Sequence, residues 1–242
     1  MGPHAKEILD FRPTRTEPSG GPRLLVTAFG RFDGGPNCSE ALLERLARDR
    51  DEIKALWGGP ASFVLLPVRA ETAERELAAA LALARPSHLL MLGQAAGRDR
   101  LSFERVARNR LRLLVPDEAG RFGDYGWVRE GGPEERRATW PDLDGVVAAL
   151  DAEGAPAGLS DDAGSHLCNQ SLYLALEAAE RAEPGFVATF LHLPLLPEQV
   201  EAGVPAAARL PGCAVLPLDE MARAVRLVLV HTRRTMSADP DR

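Results

Sequence analysis

From Arg23 onward, short apolar runs alternate with longer helical patterns, and this alternation restricts the possible folds more than any other feature. RLLVTAF (23–29) precedes SEALLERLARDR (39–50), SFVLLPV (62–68) precedes ETAERELAAALALAR (71–85), and HLLMLG (88–93) precedes a long polar excursion. Parallel neighbours in a sheet need crossover connections, which helices supply. The pattern therefore predicts a three-layer α/β/α fold, with a mostly parallel, twisted sheet and helices on both faces. Farther along, VARNRLRLLVP (106–116) reads as a strand. The glycines, prolines and alternating charges of 117–141 read as irregular structure or a hairpin, and DLDGVVAALDAEG (142–154) reads as a helix. The strand APAGLS (155–160), a helix opening near Cys168, the strand FVATFLHL (186–193) and a closing helix (218–234) complete the chain.

A length of 242 residues suits one sizeable core. Residues 23–235 are expected to form a single α/β domain, with 1–22 a flexible extension rich in Pro, Gly, Thr and charge, and 236–242 a tail. The formal net charge of −6 gives no reason to expect a nucleic acid or an anionic membrane as partner. No apolar run reaches the roughly 18 residues expected of a membrane span, and the N-terminus has no apolar leader core. The three cysteines, Cys38, Cys168 and Cys213, lie far apart and form no CxxC pair, so neither a disulfide framework nor a zinc knuckle is readable. A reducing, cytoplasmic setting is the expectation.

One of those cysteines sits in AGSHLCNQSLY (163–173), at the seam between a small-residue turn and a helical run. The unpaired N–H groups of a first helical turn favour negative charge, which suits a thiolate nucleophile. A free cysteine is nevertheless more often a small buried hydrophobe. His192, closing an apolar strand before Pro194, could be its general base or an ordinary core histidine. Glu104, placed a loop beyond HLLMLGQ, could orient that imidazole or stabilise the first turn of a helix. Ligands in open α/β sheets bind beyond the carboxyl ends of the strands, and all three residues are expected on that rim. HExxH, GxSxG, GxGxxG and Walker A motifs are absent, and GQAAGR (93–98) lacks the lysine of a phosphate loop.

Four separated segments, VTAFGRF (26–32), GQAAGRDRLSFERVARN (93–109), AGSHLCNQSLY (163–173) and FLHLPLLPEQ (190–199), occur in an order that resembles the pyroglutamyl peptidase I (pyrrolidone-carboxylate peptidase) family of cysteine peptidases, C15. The resemblance covers roughly residues 23–232. It implies a phosphorylase/hydrolase-like α/β/α arrangement, removal of an N-terminal pyroglutamyl residue from peptides, a homo-oligomer, and no metal or organic cofactor. It also implies Cys168 as nucleophile, His192 as general base and Glu104 as third member of the triad, with Phe29, Phe32, Gln94, Arg98 and His166 around the substrate. Without it, Phe29 and Phe32 read equally well as core phenylalanines. Departures fall near the substrate: Ala28 and Arg31 stand where the family usually has Gly and Pro, Asn37-Cys38-Ser39 replaces an NPS triplet, and His166 stands where Phe or Tyr usually packs on the lactam ring. The same triad could thus serve another cyclic or small acyl amide, or the chain could be an idle homologue that binds modified peptide termini.

Overall fold

The computed structural model describes residues 21–238. The expected extension therefore lies outside the described residues, apart from its last two positions. The order of elements is β1 (Leu24–Phe29), α1 (Cys38–Arg48), α2 (Arg50–Trp57), β2 (Ala61–Leu66), α3 (Ala70–Ala84), β3 (His88–Gln94), β4 (Leu101–Glu104), β5 (Val106–Arg108), β6 (Leu111–Leu113), β7 (Gly123–Gly126), β8 (Glu135–Arg137), α4 (Leu143–Ala152), β9 (Ala157–Ser160), α5 (Leu167–Arg181), β10 (Val187–Leu193), α6 (Pro197–Glu201), α7 (Pro205–Arg209) and α8 (Leu218–Ala238).

Six strands form the central sheet in the order β2-β1-β3-β10-β4-β9. The first four run parallel, whereas β4 runs antiparallel to β10 and β9 follows β4. The sheet is therefore mixed and mostly parallel, as the alternating pattern predicts. Because side chains along a strand alternate between faces, β1 sends Leu24, Val26 and Ala28 into one apolar layer and Leu25 and Phe29 into the other. The first layer is closed by α1, α2, α4 and α8 through residues such as Leu42, Trp57, Val146 and Val225. The second is closed by α3 and α5 through Leu77, Leu172 and Tyr173. This is the three-layer α/β/α arrangement.

Four local expectations change. The run 106–116 is not one strand but two, β5 and β6, which pair separately with β8 and β7 as antiparallel ribbons. Glu104, a loop beyond β3 as expected, does not open a helix; it is the last residue of β4, deep in the sheet. A second helix, α2, follows α1 across Asp49 and ends at Gly58, whose left-handed φ of 74° releases the chain into β2. The closing helix continues to Ala238, so Met236, Ser237 and Ala238 are helical rather than part of a tail.

Candidate active site

The period of the strands brings the titratable residues together. On β3, Leu89, Met91 and Gly93 share a face; on β10, Ala188, Phe190 and His192 do; their apolar members all belong to the layer beneath α3 and α5. Parallel register sets His192 beside Gly93, and antiparallel register sets Ser102 opposite His192 and Glu104 opposite Phe190. Phe103 and Leu101 turn into the other layer, so Ser102 and Glu104 face the α5 side. Glu104 is then a diagonal neighbour of His192, within reach of a long side chain. A slip of one residue in β4 would turn the carboxylate to the wrong face.

Glu104 is 0% exposed and His192 5% exposed. Glu104 Oε1 lies 2.7 Å from His192 Nδ1. A carboxylate only accepts, so Nδ1 carries the proton and Nε2 is left for the sulfur. Burial disfavours the imidazolium, but the charge and hydrogen bond of Cys168, followed by those of Glu104, outweigh it and raise the His192 pKa from 6.5 to about 9. This combination favours the imidazolium form of His192.

Cys168 is the second residue of α5, whose N-cap is His166. The first backbone bond of this helix runs from Gln170 N to His166 O, which leaves the Leu167, Cys168 and Asn169 amides without helical acceptors. Asn169, fully buried, fixes the turn from below: its Oδ1 accepts from Arg108 N at 2.7 Å, and its Nδ2 donates to Arg108 O and Arg110 O, each at 2.8 Å. Sequence reasoning missed Asn169, although its place beside Cys168 in the helix start was visible.

The loop leading into α5 is tied to the sheet. Arg98 Nη2 donates to Glu104 Oε1 at 2.7 Å, to Ser160 Oγ at 3.0 Å and to Asp162 O at 2.5 Å. Arg105 grips Asp161 through two bonds of 2.9 and 2.6 Å. Gln94 Oε1 accepts from Cys38 N at 3.0 Å and from Gln199 Nε2 at 2.8 Å, which joins the end of β3 to α1 and α6. The remaining cysteines are set differently: burial pushes the Cys38 thiol upward while it donates to Pro194 O at 3.3 Å, and Cys213 is half-buried away from His192.

Two cavities meet at Cys168. One, about 210 Å³, is mostly apolar, lined by Phe29, Phe32, Val68, Leu114, Val115 and Leu167. The other, about 360 Å³ and more polar, is lined by Gly97, Arg98, Asp162, Gly164 and His192. Gln94, His166 and Cys168 line both. Seven of the eight residues singled out in the sequence line these cavities, and Glu104 stands behind them, bonded to His192; Val68, Leu114 and Val115 did not stand out, because nothing distinguishes an apolar pocket wall from core. Drug-sized pockets run about 300–1,000 Å³, so the apolar cavity suits one small ring. Among the described residues, no group of three or more His, Cys, Asp or Glu could hold a metal ion, and no helix is long and apolar enough to cross a membrane.

The geometry can support attack by a thiolate on an acyl carbon. The sequence pattern of the pyroglutamyl peptidase family matches residues 22–234. The chain is 38% identical over 206 residues to the pyrrolidone-carboxylate peptidase of Chromobacterium violaceum, covering 85% of this chain and 90% of that one. It is 32% identical over 207 residues to the Streptococcus suis enzyme of the same name, covering 86% and 90%. The crystal structure of pyroglutamyl peptidase I from Bacillus amyloliquefaciens superposes with a TM-score of 0.74 at 27% identity, over 88% of this chain and 95% of that one. Pyrrolidone carboxyl peptidase from Fervidobacterium islandicum AW-1 gives 0.77 at 28% identity, over 87% and 98%. The chain belongs to the pyroglutamyl peptidase family of cysteine peptidases.

Proposed function

We propose that this protein removes an N-terminal pyroglutamyl residue from peptides through Cys168, His192 and Glu104, within a single catalytic domain beginning near Arg23. One observation carries the residue assignment: the buried Glu104–His192 pair adjoins a cysteine that separates a ring-sized apolar cavity from an open polar one. That asymmetry orients the substrate. The group that protonates the leaving amine must lie on the leaving side, and His192 lines the polar cavity alone. The lactam ring therefore enters between Phe29 and Phe32, and the rest of the peptide departs past Gly97 and Asp162.

The Cys168 thiolate attacks the acyl carbon that joins the pyroglutamyl ring to the next residue. Free first-turn amides of α5 receive the developing oxyanion. Imidazolium at His192 gives its proton to the departing amine, and the thioester is then hydrolysed by water that His192 deprotonates. Glu104 holds the Nδ1 tautomer and stabilises the charged ring, while Arg98, which also lines the polar cavity, holds Glu104 in place. Release of a fluorogenic amine from pyroglutamyl, prolyl and alanyl derivatives, run in parallel, tests this. Turnover confined to the pyroglutamyl amide supports the assignment, and turnover of the other two instead overturns it.

A cytoplasmic location is supported by a mechanism that needs a free thiol and by the three unpaired cysteines. Homo-oligomerisation is supported by the ribbon of β6 and β7, which carries exposed Leu114, Phe122, Tyr125 and Trp127 at or beside its strands. Clustered exposed aromatic groups mark interaction sites. Sedimentation of the wild type against a Phe122→Ser, Trp127→Ser variant tests it, since the variant should shift towards monomer.

A further inference from the structure

His166 occupies the wall of the apolar cavity, and its two ring nitrogens are not equivalent. Nε2 lies 2.9 Å from the backbone oxygen of Val115, and the ring stands edge-on to Phe32 with centroids 5.2 Å apart. A carbonyl only accepts, so Nε2 carries the hydrogen. Burial holds the His166 pKa below its ordinary value, although the Val115 bond and Asp117 oppose this, and the ring is neutral at neutral pH. In a neutral imidazole with hydrogen on Nε2, Nδ1 is a bare acceptor.

Nδ1 has no partner among the described residues and does not cap α5. It is also not sealed away: the buried side-chain nitrogen and oxygen atoms left without partners are Glu104 Oε2, Arg136 Nε and Gln170 Oε1. Other polar side chains of the same cavity have spent their acceptors. Asn37 Oδ1 takes both the amide and the hydroxyl of Ser39, and Gln94 Oε1 takes Cys38 N and Gln199 Nε2. The remaining walls are apolar. Apart from the Cys168 sulfur, His166 Nδ1 is therefore the one unengaged side-chain acceptor carried by the described residues that line this cavity.

We propose that His166 Nδ1 accepts the ring N–H of the bound acyl group, so that the pocket selects lactams over rings of the same shape that lack this hydrogen. The inference rests on the pyroglutamyl reading above and adds a specificity determinant to it. A phenyl ring at this position would offer contact area alone; an imidazole gives up some of that area and supplies a directional acceptor.

The test compares kcat/KM for a fluorogenic pyroglutamyl amide with that for its carbocyclic analogue, the 3-oxocyclopentanecarbonyl amide, in which CH2 replaces the ring N–H. Wild type should prefer the lactam by about 10- to 100-fold, as expected when a buried acceptor otherwise goes unpaired. In His166→Phe that preference should fall at least about tenfold, chiefly because the lactam is handled less well. His166→Gln, which retains an acceptor oxygen, should keep more of it. A wild-type preference near one, or an unchanged preference in a His166→Phe protein that still turns over, would overturn the proposal. Wild type that ignores the pyroglutamyl amide while cleaving other acyl amides overturns the reading beneath it instead.

Discussion

Gly93 on β3 lies beside His192 on β10, and a methyl group placed on that glycine would stand 3.1 Å from the Cys168 sulfur and 2.5 Å from the Phe190 ring. The missing side chain lets the sulfur settle onto the sheet next to the imidazole. Gly93→Ala must displace Phe190, Cys168 or both. It should cost about 1–3 kcal/mol of stability, as overpacking does, and lower kcat more than it changes KM. Thermal unfolding and steady-state kinetics on one preparation check this, and a wild-type melting point with wild-type kcat would refute it.

Cys168→Ala should abolish turnover, whereas Cys38→Ala and Cys213→Ala should retain most of it. Among the described residues, only Cys168 pairs with an imidazole, while burial keeps the Cys38 thiol protonated. Iodoacetamide at neutral pH should label one cysteine rapidly in wild type and none rapidly in Cys168→Ala, as read by mass spectrometry.

The His192 pKa near 9 fixes a pH window. A folded-state value raised above the unfolded one contributes stability that is fully present below the ordinary 6.5 and is lost as pH rises through about 9. Glu104→Gln removes one of the groups holding that value up. Its alkaline loss of stability should be smaller and complete at lower pH, and kcat should fall by about 10²- to 10⁴-fold, as when a triad carboxylate becomes an amide. His192→Ala should lose at least as much. Melting temperature against pH for wild type and Glu104→Gln supplies the comparison.

Arg98 separates two roles. If it only steadies Glu104, Arg98→Met should lower kcat by about tenfold, move the pH profile in the direction of Glu104→Gln, and leave KM nearly unchanged. A raised KM with constant kcat would make it a substrate ligand instead.

Much of this was legible beforehand, and the exceptions have physical causes. Strands β1, β2, β3 and β10 are buried on both faces and read as continuous apolar runs. Strand β4 did not, because Ser102 and Glu104, which face the site, interrupt its pattern; the residues fit for chemistry concealed the strand that carries them. The division of 106–116 into β5 and β6 depends on partners farther along the chain, which no local window contains. The residues expected in the site converge there, but the tie from Arg98 to Glu104 arises from a return of the chain that spacing alone cannot reveal.

The place of β10 in the sheet has a consequence for how activity appears. This late strand sits between β3 and β4, and it also carries His192. A nascent or truncated chain ending before residue 187 would lack both the strand that joins the two halves of the sheet and the imidazole of His192. Closing the sheet and setting His192 in place are thus one event, dominated by pairings distant in sequence and correspondingly slow. During refolding, recovery of peptidase activity should coincide with final burial of the sheet, with no active precursor before it.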